Sequence, residues 1–158
     1  MSRILATLNE LLYAQLLVSQ FMAAHLVEID PVRQQVRLWG GGMPSPLHVN
    51  AAGMIRQIAV SGLPLGVMPG LDISDLSDLS GKVRTLSVQT GERLLLYTDG
   101  MIEATNAAGE RYQIERLEAR YAALLQSGGP LTELIADLEA FVAGEEQMDD
   151  QLLLELTV

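Results

Sequence analysis

Apolar residues recur at helical spacing from the start of the chain. Ile4, Leu5, Leu8, Leu11, Leu12 and Leu16 fall on one face, which predicts a helix over residues 4–17. The period then changes. Phe21–Ile29 reads as a strand, Asp30-Pro31 as a turn and Val36-Arg37-Leu38-Trp39 as a second strand, together predicting a hairpin. Gly40-Gly41-Gly42, followed by Pro44 and Pro46, predicts irregular backbone, because glycine admits unusual angles and proline removes donors. Short strands are predicted at Leu47–Val49 and Met54–Ile58, around Asn50-Ala51-Ala52-Gly53. Gly62-Leu63-Pro64-Leu65-Gly66-Val67 reads as an apolar loop, and Leu71–Ser80, with its aspartates, as surface loop. Val83–Val88 and Arg93–Tyr97 predict a further hairpin, turned by Gln89-Thr90-Gly91-Glu92.

Two helices follow. Ile114, Leu117, Tyr121, Leu124 and Leu125 line one face of the first; Gly128-Gly129-Pro130 ends it. Leu131, Leu134, Ile135, Leu138, Phe141 and Val142 form the stripe of the second. Gln151–Val158 reads as a last strand. Hairpin-connected strands with helices in blocks predict an α+β layered fold rather than alternating βαβ units. With 158 residues and no repeat or linker, one domain is the simplest organisation.

Composition narrows the function. A hydrophobic fraction of 49% and a mean hydropathy of +0.23 describe a packed globule. The formal net charge of -10 repels phosphate backbones and anionic lipid, which argues against nucleic acid and membrane surfaces as partners and favours divalent cations or basic protein patches. The chain has no cysteine, so disulfides, zinc-thiolate sites and thiol catalysis are excluded. No segment reaches the roughly 18 consecutive apolar residues of a membrane span. Asn9 and Glu10 interrupt the first apolar run, so it reads as an amphipathic helix and not a signal peptide, and a cytoplasmic location is expected.

The candidate chemistry lies in carboxylates at strand ends. Leu94-Leu95-Leu96-Tyr97-Thr98-Asp99-Gly100 is an apolar run that stops at an acid and a glycine, and Asp149-Asp150 stand just before the last strand. Magnesium and manganese take oxygen ligands, so Asp99, Asp149 and Asp150 suit them. Two such ions about 3.5–4 Å apart activate water for phosphoryl displacement. The competing reading has Asp99 capping the turn after it and the pair as solvated loop acids. His25 and His48 sit in strand patterns and read as packed histidines. Trp39 reads as core, with a ligand groove as the alternative, and the methionines Met22, Met43, Met54, Met68, Met101 and Met148 as packing. No Gly-x-x-x-x-Gly-Lys-Ser/Thr segment accompanies the strand before Asp99, so nucleotide hydrolysis is rejected. Two histidines beside apolar strand residues give no Ser-His-Asp arrangement.

Gly91-Glu92-Arg93-Leu94-Leu95-Leu96-Tyr97-Thr98-Asp99-Gly100-Met101-Ile102-Glu103-Ala104 resembles a signature of the metal-dependent protein serine/threonine phosphatases, the protein phosphatase 2C or PPM family, in its bacterial stage II sporulation phosphatase-like branch. Asn106-Ala107-Ala108-Gly109-Glu110-Arg111-Tyr112, the Asp149-Asp150 strand, Gly62–Val67, and Asn9-Glu10-Leu11-Leu12 with Phe21-Met22 are similar to further motifs of that branch, in order along the chain. The resemblance implies a layered α/β/β/α sandwich of antiparallel sheets flanked by helices, with a two-metal site for Mn2+ or Mg2+ at one end. It implies Asp99 and Asp149 as metal ligands, Asp150 as their neighbouring acid and Gly100 as the backbone turn beneath them. Gly42, Met43, Gly62, Pro64 and Gly66 become groove or partner loops. A metal-activated water then attacks phosphoserine or phosphothreonine.

The chain departs from the pattern at named places. The family's upstream aspartate strand and Asp-x-x-Gly-His-Gly turn are not in it, so it resembles the C-terminal part of such a domain, without the N-terminal strands. Gly40-Gly41-Gly42-Met43-Pro44 stands where the branch has Asn-Ala-Gly-His and prolines, and Leu152 where a threonine is usual. The expectation is a truncated phosphatase domain that alone binds metal weakly and turns over little. The implied partners are a phosphoprotein such as an anti-sigma-factor antagonist, or a regulatory protein, with a receiver or sensor domain upstream. The alternative is a non-catalytic binding module on the same fold. Exposed sheet edges raise a third reading, a self-associating structural domain, such as a dimer, that completes its sheets by swapping strands.

Overall fold

In chain order the elements of the computed structural model are α1 Ser2–Gln15, β1 Ala24–Asp30, β2 Gln35–Gly41, β3 Leu47–Val49, β4 Ile55–Gln57, β5 Arg84–Ser87, β6 Arg93–Tyr97, α2 Gly100–Glu103, α3 Ile114–Ser127, α4 Thr132–Val142 and β7 Leu153–Thr157. The structure describes residues 1–69 and 83–158. The surface loop predicted at Leu71–Ser80 lies outside the described residues. The result is an α+β fold with two antiparallel sheets, ordered β1-β2-β5 and β4-β3-β6-β7. The chain divides into two compact units: Met1–Ser45 with Ile58–Thr90 and Val158, and Pro46–Gln57 with Gly91–Thr157.

In the first unit, β1 and β2 form the predicted hairpin, with Ala24 opposite Gly41 and Asp30 opposite Gln35. The Asp30 carboxylate accepts from the Val32 and Arg33 N–H groups and closes the turn, as short acidic side chains do. Gly40 and Gly41 correct the expectation of irregular backbone: both continue β2, and only Gly42 has a positive φ, of 65°. Small residues are needed there because a Cβ at Gly40 would lie 2.9 Å from the His25 ring. Helix α1 also differs from its reading. Leu5 and Asn9 are buried, whereas Ile4 and Leu11 are 54% and 52% exposed, so the packed stripe is narrower than the apolar one. It meets Trp39 and Leu65. Trp39 is buried as expected, with its Nε1–H unpaired among the described residues.

The predicted hairpin of Val83–Val88 with Arg93–Tyr97 is not formed. β5 pairs with β2, Val36 opposite Leu86, while β6 pairs with β3 and β7. The turn between them passes from one sheet to the other. Two bonds explain why. Val88 N–H donates to the Gln34 carbonyl, which holds β5 on β2. The buried Glu92 carboxylate bonds His48 and the Ala51 N–H, which holds the start of β6 on the β3–β4 side.

The second unit packs α3 and α4 on their predicted stripes. Leu117, Tyr121 and Leu124 of α3 and Leu134 and Leu138 of α4 are buried with Leu47, Val49, Leu95 and Tyr97 of the sheet. Each such leucine contributes about 1.5–3 kcal/mol on burial. Gly128 ends α3 in the left-handed region that favours glycine, with φ 69°. The methionines diverge from their reading. Met101 is fully buried, but Met54 and Met148 are 64% and 86% exposed, and Met22 and Met68 are exposed as well.

Candidate functional site

The apolar run of β6 is buried on both faces and ends at Thr98. Asp99 is then the N-cap of the short turn α2, and its Oδ1 accepts from Gly100 N–H at 3.1 Å. The capping reading of Asp99 is thus realised. Its carboxylate is exposed to solvent, as are Asp149 and Asp150.

The backbone brings the two acidic segments together. Thr98 N–H donates to the Leu152 carbonyl at 3.2 Å. The Thr98 hydroxyl donates to the Asp150 carbonyl at 2.6 Å and accepts from Leu152 N–H at 3.0 Å. Gly100 packs on the same stretch: a Cβ there would come within 2.9 Å of the Asp150 carbonyl carbon and 3.2 Å of that of Asp149. The sequence reading missed Thr98. Its only signal was a hydroxyl residue at the last strand position before the acid.

A cavity of about 400 Å3 opens beside this junction, bordered by Gly100, Glu103, Glu145, Met148 and Asp149. Its charged lining is acidic. Glu103 pairs with Arg111 at 3.3 Å.

The donor set falls short of a metal shell. Asp149 Oδ1 accepts from Asp150 N–H at 2.7 Å, so Asp99 and Asp149 both turn an oxygen onto the N–H of the next residue. Among the described residues no group of three or more His, Asp and Glu side chains is placed to hold an ion. Magnesium needs near-octahedral oxygen ligation, which these residues do not fit by themselves.

The remaining candidates lie in the other unit. Gly62 N–H donates to the Gly40 carbonyl at 2.7 Å, and its carbonyl accepts from Gly42 N–H at 3.1 Å. A Cβ on Gly42 would meet Pro64 at 2.7 Å. Gly66, with φ 82°, gives its N–H to Asn9 Oδ1 at 2.9 Å, while Asn9 Nδ2 donates to the Met68 carbonyl at 3.1 Å. Gly42, Gly62, Pro64 and Gly66 therefore form one packed loop system anchored on α1. Met43 is half-buried beside it in sequence.

Both histidines are packed. His25 Nε2–H donates to the Pro44 carbonyl at 3.0 Å, and burial holds its imidazole below the ordinary value, with that carbonyl offsetting part of the shift. His48 is buried between two charges. Arg56 Nε–H donates to Nδ1, which leaves Nε2–H to donate to Glu92 at 2.8 Å.

A family model described as Stage II sporulation protein E (SpoIIE) matches residues 1–158. No curated protein matches the chain. Among solved structures, the SiaA-PP2C domain of Pseudomonas aeruginosa is 20% identical with a TM-score of 0.72, over 99% of this chain and 60% of that one. The RsbU and RsbW domains of Rv1364c from Mycobacterium tuberculosis are 26% identical with a TM-score of 0.57, over 85% and 35%. The SpoIIE phosphatase domain of Bacillus subtilis, presoaked with Mn, is 12% identical with a TM-score of 0.60, over 86% and 56%. The chain spans less than two thirds of the length of each of these three.

Proposed function

Because the chain belongs to the Stage II sporulation protein E family of PP2C-like (PPM) serine/threonine phosphatase domains, we propose that it is the C-terminal part of a metal-dependent phosphatase domain of bacterial signalling. It would act in the cytoplasm on a phosphoserine protein of the anti-sigma-factor antagonist type. Its two sheets and their helices would stack as the layered sandwich of that fold. The observation that carries the reading is the junction at Thr98 and Gly100, which seats the Asp99 turn directly on the Asp149–Asp150 backbone. Asp99 and Asp149 are the ligands proposed for Mn2+ or Mg2+, with Asp150 beside them. Rv1364c, which carries RsbU and RsbW domains, supports a signalling partner of that kind.

The described residues supply too few donors, so weak metal binding and little turnover are proposed for the chain alone. The test is Mn2+-dependent hydrolysis of p-nitrophenyl phosphate and of a phosphoserine antagonist protein by the purified chain. Turnover near background, unchanged in Asp99→Asn, is expected. Robust turnover abolished by Asp99→Asn would show that these carboxylates suffice.

A second reading, a partner-binding module without turnover, is favoured by one observation. The Asp99 and Asp149 carboxylates each accept from the backbone N–H of the next residue, Gly100 and Asp150, a structural use that needs no ion. Binding of the phosphoprotein without loss of its phosphate separates this reading from the first.

A further inference from the structure

Gln113, the residue before α3, has φ 65° and ψ 159°. Clashes of Cβ with the backbone leave that region almost entirely to glycine. Ala143, after α4, has φ 52° and ψ 36° and lies instead in the left-handed helical region that other residues do enter. The Gln113 side chain is exposed and makes no capping bond that would offset the strain.

The strain is imposed from both sides, within one compact unit. Upstream, Tyr112 is buried, its N–H donates to the Ala104 carbonyl at 2.9 Å, its hydroxyl donates to Asp137 at 2.8 Å, and its ring meets Phe141 edge-on. Gln113 N–H itself donates to the Ile102 carbonyl at 2.9 Å. Ile102 and Ala104 stand at the end of α2, the single turn that Asp99 caps. Downstream, buried Leu117 and Tyr121 fix α3 in the core, and its first turn closes by Leu117 N–H to the Gln113 carbonyl at 3.3 Å. Gln113 thus joins two anchored segments. Turning it to ordinary angles breaks the bond to Ile102, the bond from Leu117, or both.

We propose that Gln113 is a spring-loaded hinge, whose strain populates a minor state in which α2 and the Asp99 turn are released from α3. Strain of this kind favours release by roughly five- to a hundredfold over an unstrained joint. In the released state the Ile102 and Ala104 carbonyls lose their partners. The α2 turn is then held by its buried Met101 and from the Thr98 side, where Met101 N–H donates to the Thr98 carbonyl at 3.1 Å. The Asp99 carboxylate shifts relative to Asp149 and Asp150. That such a shift bears on catalysis rests on the phosphatase reading; the hinge itself does not.

Relaxation-dispersion NMR and hydrogen exchange test it on the full chain, with no metal or phosphoprotein present, so the hinge can fail while the phosphatase reading stands, and the reverse. In the unmodified chain the Asp99–Glu103 amides should show microsecond-to-millisecond exchange. The Tyr112 amide should exchange with a weaker urea dependence than the Leu138 amide inside α4, the mark of local rather than global opening. Gln113→Gly removes the strain, and the added freedom of the open chain offsets only part of the gain. It should lower the released population roughly threefold or more, read as lost dispersion and slower Tyr112 exchange. Gln113→Ala keeps the strain and should keep the dispersion. Flat dispersion in the unmodified chain, dispersion that persists in Gln113→Gly, its loss in Gln113→Ala, or a Tyr112 amide that exchanges only by global unfolding would each overturn the proposal.

Discussion

The Thr98 hydroxyl holds the Asp150 carbonyl at 2.6 Å, and the same oxygen accepts the Leu152 N–H at 3.0 Å. One side chain thus fixes how the end of β6 meets the entry to β7. Thr98→Val keeps the shape and loses both bonds. Because the site is partly exposed, water replaces much of what is lost, and a cost of about 1 kcal/mol is expected in urea unfolding. An unchanged midpoint would show that the Thr98–Leu152 backbone pair carries the junction alone.

Gly100 is required for closeness and not for an unusual dihedral. A Cβ there meets the backbone of Asp149 and Asp150, which cannot rotate away as a side chain does. Gly100→Ala should cost about 1–3 kcal/mol, the usual range for overpacking. It should also separate the two acidic segments. Amide NMR shifts at Asp149–Leu152 that move in Gly100→Ala, and remain in place in Gly109→Ala, would show that the displacement is local. Gly109 has open space around it and a φ of 77°, so the strain of its alanine falls on its own turn and not on Asp149–Leu152.

Asn9 is fully buried, and its amide satisfies both the Gly66 N–H and the Met68 carbonyl. Asn9→Leu matches the volume and strands two backbone groups. Each stranded buried group costs about 1–3 kcal/mol, and Gly66 N–H is the more enclosed. A loss of about 2–4 kcal/mol in chemical denaturation is expected. A near-neutral result would mean that the loop rearranges to reach water.

Asn9 also marks where the sequence stopped being legible. In the pattern it is a polar interruption of an amphipathic helix, and nothing local says that it points inward. Its partners are 57 and 59 residues away. The helices α3 and α4 were readable because their burial follows one short period. β5 and β6 were misread for the opposite reason. Adjacent strands with a Gly turn look like a hairpin, yet their pairing was decided by Gln34 and His48, far from that turn. At the site, the motif around Asp99 was legible. The clasp that seats it was not, since Thr98 finds its partners only after the fold closes.

His25 gives the stability a pH dependence of definite sign. Burial lowers its pKa below 6.5, so near that pH the unfolded chain binds more protons than the folded one. Its contribution is therefore complete above about 6.5 and declines as pH falls below it. His25→Gln should flatten the stability profile on the acid side of 6.5. Urea midpoints across that window measure it. An equally steep decline in the variant would assign the slope to other groups.

Tyr97, Tyr112 and Tyr121 bring the complementary alkaline behaviour. Burial is the largest cause raising all three phenols above 10.0. Asp137, which accepts from Tyr112 OH at 2.8 Å, and Glu155, which accepts from Tyr121 OH at 2.5 Å, add to it because each carboxylate favours the neutral phenol. The folded state then keeps its protons while the unfolded state sheds them, so stability falls as pH rises beyond about 10. Phenolate absorbance and far-ultraviolet circular dichroism should change in one transition, because these phenols ionise as the core opens. Tyr121→Phe removes one of the ionising groups and should make that transition shallower. Absorbance that rises while the dichroism is intact would show that water reaches these hydroxyls in the native state.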